Sequence, residues 1–158
     1  MDSSKIEASA AEIELDLLIP MIRERLAEGK SVTFTPYGVS MLPMLRPGRD
    51  TVTISPITGR LKKYDVPLYR RDCGKYVLHR VIKVEDTYTI VGDNHIWWET
   101  DVRDDQMIAV VTSFCRDGKT ISVQSLGYKI YCRFWHHTRF VRRCWRGLLR
   151  RVRLLTRA

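Results

Sequence analysis

The chain has 158 residues, 44% of them apolar and 28% charged, with a formal net charge of +9. That composition suits one ordinary globular domain and excludes a disordered chain or a disulfide scaffold. No stretch approaches the roughly 20 apolar residues of a membrane-spanning helix, since the longest run, 17–22, is short and contains Pro20. Glu7, Glu12, Glu14 and Asp16 stand where a secretory leader needs positive charge and then an apolar run. A cytoplasmic protein with no signal peptide or transmembrane segment is therefore expected.

Taken in chain order, residues 4–27 predict a helix capped by Ser3 or Ser4. Its apolar positions are Ile6, Ala10, Ile13, Leu17, Met21 and Leu26, it ends at Gly29, and Pro20 should kink or divide it. From Ser31 the period shortens to two. Val32 and Phe34, Val52 and Ile54, and the runs 77–84, 87–91 and 108–113 predict six to eight short strands between Pro, Gly, Asp and Asn. Residues 120–123, after Asp117-Gly118, predict the second arm of a hairpin. From Gly127 a helical period returns. Tyr131, Phe134, Thr138, Val141, Trp145, Leu148, Val152 and Leu155 draw one stripe, with arginines on the flanks. The expectation is one α+β domain: an N-terminal helix over 1–30, a β domain over 31–125 and a long basic amphipathic helix over 126–158.

Charge divides along the same boundary. After Asp117 there is no acidic residue, while Lys119, Lys129 and nine arginines carry +11, which leaves residues 1–118 at −2. The basicity belongs to the tail, so a nucleic-acid partner is not expected of the body. The tail has two readings: a helix lying on an anionic membrane face, or one packed on the β domain with its arginines in water. Cys73, Cys115, Cys132 and Cys144 are widely spaced and form no C-x-x-C pair. His136 and His137 are adjacent and so point about 100° apart on a helix. Reduced isolated thiols and no metal or other cofactor are expected.

The segment with most chemical content is Gly38-Val39-Ser40-Met41-Leu42-Pro43-Met44-Leu45, followed by Pro47-Gly48-Arg49-Asp50. Gly38 admits a backbone closed to other residues, and Pro43 stiffens the turn behind the serine. Further on stand Lys63-Tyr64-Asp65-Val66, then Tyr76-Val77-Leu78-His79-Arg80-Val81-Ile82, then Val91-Gly92-Asp93-Asn94. In order and spacing these four segments resemble the boxes of the signal peptidase I and self-cleaving repressor clan of serine peptidases, over about residues 32–121. The resemblance implies a small twisted β core of the signal-peptidase type and a serine endopeptidase acting on an extended leader- or signal-like peptide. Ser40 would be the nucleophile and His79 its general base, as in the endoplasmic-reticulum and archaeal members; bacterial members use lysine.

Imidazole titrates near neutral pH, so it can take a serine proton without first being buried. Lys75 and Lys83 are rival bases. A histidine base needs an acceptor that fixes its tautomer. Asp93 in the G-D-N turn is the first choice; Glu99, where the endoplasmic-reticulum enzymes have a second acid, and Asp101 are the alternatives. The Ser40 N–H is one expected oxyanion donor, and Gly38 occupies a position that bears a hydroxyl in some bacterial members. Arg49, Tyr64 and Pro67 depart from the family pattern, as would the expected lack of a transmembrane anchor. Two other readings compete: a self-cleaving regulator, opposed by the lack of an Ala-Gly or Cys-Gly bond before Ser40, and a catalytically silent peptide- or membrane-binding relative.

Overall fold

The computed structural model describes residues 3–139. Helix α1 (Ser3–Ala27) precedes strands β1 (Val32–Phe34), β2 (Thr51–Ser55), β3 (Pro67–Arg70), β4 (Tyr76–Leu78), β5 (Arg80–Val84), β6 (Tyr88–Val91) and β7 (Glu99–Val102). A 3-10 turn (Asp104–Gln106) leads into β8 (Met107–Arg116), β9 (Lys119–Ser122) and helix α2 (Leu126–His137). The class is α+β, with nine strands among the described residues in two antiparallel sheets. The six-stranded sheet runs β1-β2-β8-β3-β4, with β9 also on β8, and the smaller one runs β5-β6-β7.

β8 organises the larger sheet because its ten residues are long enough to meet three partners in turn. It pairs with β3 through Met107–Val110, with β2 through Val110–Cys115 and with β9 from Ser113 onward. The β8–β9 hairpin turns on Asp117 and Gly118, both at positive φ (50° and 76°), the geometry a two-residue turn between twisted strands requires. β3 begins at Pro67, which concealed it from a sequence search for strands, and β7 reads Glu-Thr-Asp-Val, without an apolar alternation. The expected run 77–84 divides in two: β4 ends at Leu78 in one sheet and β5 starts at Arg80 in the other, with His79 at the crossing.

Both helices pack in a different phase from the one expected. In α1 the face on the core is Leu15, Leu18, Ile19, Ile22 and Leu26, whereas Leu17 is 75% exposed and Met21 is exposed too. Six apolar residues between positions 15 and 22 fit more than one helical phase, and the sheet selects among them. Ile22 is wholly buried, worth roughly 1.5–3 kcal/mol. Pro20 neither ends nor divides the assigned helix; it lies on the exposed side, where water can serve the carbonyl it leaves unpaired.

α2 is capped by Ser125, whose hydroxyl accepts from the Tyr128 N–H. Tyr128 and Cys132 are buried in the main core with Tyr131 packed against it, while Leu126, Ile130 and Phe134 face outward. The single long helix expected over 126–158 is corrected. α2 has 12 residues and gives way at Thr138, whose N–H and hydroxyl both donate to the Phe134 carbonyl, at 2.9 and 2.7 Å. The remaining stripe from Val141 to Leu155 and Cys144 lie outside the described residues. Cys73, Cys115 and Cys132 are free thiols.

Candidate functional site

Ser40 sits in the long connection between β1 and β2. Gly38 has φ +97° with no atom within 4 Å of a notional Cβ, so a side chain there is opposed by backbone strain and not by crowding. Beyond Ser40 the chain coils back, with Leu42 N–H on the Val39 carbonyl and Leu45 N–H on that of Met41. Met41, Met44 and Leu45 are buried and anchor the loop in the core. Its far end is tied by Asp50, wholly buried, which accepts from the Arg46 N–H and guanidinium (2.7–2.9 Å) and from Arg116 Nε at 3.2 Å. Burial would raise the Asp50 carboxyl, but these donors outweigh it and hold it below its ordinary value.

His79, 1% exposed, points its Nδ1 at Glu99 Oε1, 3.0 Å away. Glu99 also accepts from the Tyr69 hydroxyl at 2.8 Å, from Arg71 Nε at 2.8 Å and from Arg71 Nη2 at 2.5 Å. Burial acts to raise the Glu99 carboxyl; the hydrogen bonds from His79, Arg71 and Tyr69 win and keep it well below the usual carboxylate range. Burial, reinforced by the Glu99 charge, pushes the Tyr69 phenol well above its ordinary value, so it remains a neutral donor. An ionised carboxylate can only accept, so the proton of a neutral His79 resides on Nδ1 and Nε2 carries the lone pair.

That lone pair faces Gly92. A Cβ built on Gly92 would stand 3.1 Å from His79 Nε2, 3.0 Å from His95 Nδ1 and 2.8 Å from the Ser40 carbonyl oxygen. Only glycine fits, and the absent side chain lets the Ser40 carbonyl and Nε2 lie within about 6 Å of each other, both being so close to that one point. Ser40, His79, His95 and Arg71 line one cavity of about 570 Å³ together with Leu15, Leu18, Phe34, Tyr76 and Leu78. Among the described residues no hydrogen bond joins the Ser40 hydroxyl to Nε2. Such bonds are often long before substrate arrives. A second cavity, near Leu26, Ile57 and Met107, is lined by no serine, cysteine, histidine or lysine.

The expected acceptor is replaced. Asp93 does not hold His79; its carboxylate takes both arms of the Arg80 guanidinium at 2.7 Å, and Tyr131 donates to it at 3.2 Å. Consecutive residues of an extended chain face opposite sides, so His79 and Gly92 turn to the cavity while Arg80 and Asp93 turn to the core. Asp101 is exposed at φ +59°, away from the cavity lining. Lys75 and Lys83 are exposed, and Lys83 pairs with Glu85 at 2.8 Å. Among the described residues no group of three or more His, Cys, Asp and Glu could hold a metal.

Sequence reasoning passed over Tyr69, Arg71 and His95. Tyr69 and Arg71, two apart at the end of β3, share one face, a period-two signal that Pro67 hid. His95 closes the turn after Gly92, its N–H on the Gly92 carbonyl at 2.9 Å, and its ring meets that of His79 edge-on with centroids 5.1 Å apart. Burial and then the His79 and Arg71 charges lower its pKa. No family model matches the chain, and no curated protein or solved structure matches it with significance.

Proposed function

We propose that the protein is a serine endopeptidase of the signal-peptidase type, cutting an extended leader- or signal-like segment. The observation that carries this reading is the His79–Glu99 pair, which turns an unprotonated Nε2 toward the Ser40 segment inside one cavity. Ser40 Oγ attacks the scissile carbonyl as Nε2 takes its proton. Glu99 keeps Nδ1–H and steadies the imidazolium, and the Ser40 N–H donates to the oxyanion. His79 then protonates the leaving amine, and the acyl-serine is hydrolysed by water that His79 deprotonates in turn.

β1 and β4 are the edges of the large sheet, and Phe34 and Tyr76–Leu78 line the cavity from those edges. An edge strand offers the backbone pairing an extended peptide needs. For partners beyond substrate, the exposed Leu126, Ile130 and Phe134 of α2, beside Lys129 and Arg133, favour peripheral contact with an anionic membrane face. No described helix is long and apolar enough to cross a membrane.

The decisive test is covalent labelling by a serine-acylating probe. Wild type should be labelled at Ser40 and Ser40→Ala should not. Equal labelling of both, or of neither, would leave a peptide-binding protein without this chemistry.

A further inference from the structure

Helix α2 reaches the Ser40 loop through one peptide group. The indole Nε1–H of Trp135 donates to the Asp93 carbonyl at 3.0 Å. The N–H of that same peptide unit, on Asn94, donates to the Ser40 carbonyl at 2.8 Å. The Asn94 side chain completes the grip, with Nδ2 donating to the Val39 carbonyl at 3.1 Å. The Val39 carbonyl belongs to the peptide whose N–H is that of Ser40, and the Ser40 carbonyl to the next. Asn94 therefore holds the two peptide groups that flank Ser40, and Trp135 holds the peptide that carries Asn94.

We propose that Trp135 is a positioning residue, its indole N–H fixing the Asp93–Asn94 peptide so that Asn94 can orient the Ser40 N–H toward the oxyanion. Aligned donors and acceptors in such a chain polarise one another, and each link restricts rotation of the next peptide. The indole is itself placed: its ring stacks on Tyr131 at 5.9 Å and 19°, and Tyr131 donates to the Asp93 carboxylate. Asp93 is locked onto Arg80, which also donates to the Tyr128 hydroxyl at 2.9 Å. α2 thus packs against the turn that holds the Ser40 segment. The consequence for turnover rests on Ser40 being the nucleophile, whereas the geometry of the peptide does not.

Trp135→Phe keeps an aromatic ring for Tyr131 to stack on and removes the indole donor, so it separates the two roles. Amide exchange at Asn94 should speed up at least tenfold while β2 and β8 stay protected. Acylation of Ser40 and kcat on a short peptide should fall about tenfold to a hundredfold, with KM and the pH profile unchanged, because Nε2 and Glu99 are untouched. Wild-type exchange at Asn94 in a folded variant would overturn the proposal. If the variant does not fold, the wild-type protein decides: a through-hydrogen-bond coupling between Trp135 Nε1 and the Asp93 carbonyl is expected, and its absence with a freely exchanging indole proton overturns it. Should wild type show no acylation at all, the peptidase reading falls, and exchange at Asn94 still decides whether Trp135 holds the peptide.

Discussion

His79 and Arg80 are neighbours in the chain, and each grips a carboxylate, yet the two pairs are built differently. Arg80 and Asp93 are each 2% exposed at the side chain and are surrounded by Tyr128, Cys132 and Met44, so every donor of the cation is spent inside the core. Glu99, by contrast, is 28% exposed at the side chain, and it is its histidine that lines a cavity, with the far nitrogen turned toward the Ser40 segment. A sealed pair ties elements together; a pair with one open end can move a proton. Burial of the acid tells the two apart where the residue types do not.

Breaking the sealed pair should have the largest effect. Asp93→Ala strands an uncompensated guanidinium in the core, and the expected loss is roughly 3–5 kcal/mol of unfolding free energy. A denaturation midpoint near wild type would remove the distinction between the pairs. His79→Ala should instead lower hydrolysis by about 10²- to 10⁴-fold in a folded protein. Lys75→Ala and Lys83→Ala should stay within about twofold of wild type, since both are exposed and neither lines the cavity. Loss of turnover in a lysine variant, with His79→Ala active, would assign the base to the lysine.

The open pair also has a pH signature. The folded-state pKa of Glu99 is depressed from 4.5, so its stabilising contribution is complete above that value and is lost as pH falls toward the folded pKa, where the unfolded chain binds a proton the native one refuses. Unfolding free energy measured against pH should decline on the acid side, and Glu99→Gln should flatten that limb. An unchanged limb would mean that Glu99 is not the titrating group. The smallest effect concerns the outer face of α2. Replacing Leu126, Ile130 and Phe134 by Ser should change stability by no more than about 0.5 kcal/mol for each substitution. It should weaken sedimentation with anionic vesicles, binding that high salt also weakens. Wild type that never sediments would confine α2 to its inner face.

The α+β class, the hairpin at Asp117-Gly118 and the strands around Val52, Ile90 and Val111 were legible in the residues, because turn chemistry and period-two apolar runs act locally. Short segments with strong residue constraints also supplied the candidates Ser40 and His79, with Asp93 as the first choice of acid and Glu99 and Asp101 as alternatives. Which acid meets His79 was not legible: Asp93 and Glu99 are both near it in sequence, and the choice depends on which side of the crossing between two sheets each side chain faces. The helix phases were undecidable for a related reason, since α1 and α2 carry apolar residues on more than one face and only the body they pack against selects one. Trp135 lies 95 residues from Ser40, and no local rule links them. The sequence by itself determined the class, the local turns and the strands with a clear apolar period; tertiary structure decided where strands divide, which helix face is buried and which side chains pair, because a contact between distant segments depends on how whole sheets and helices pack.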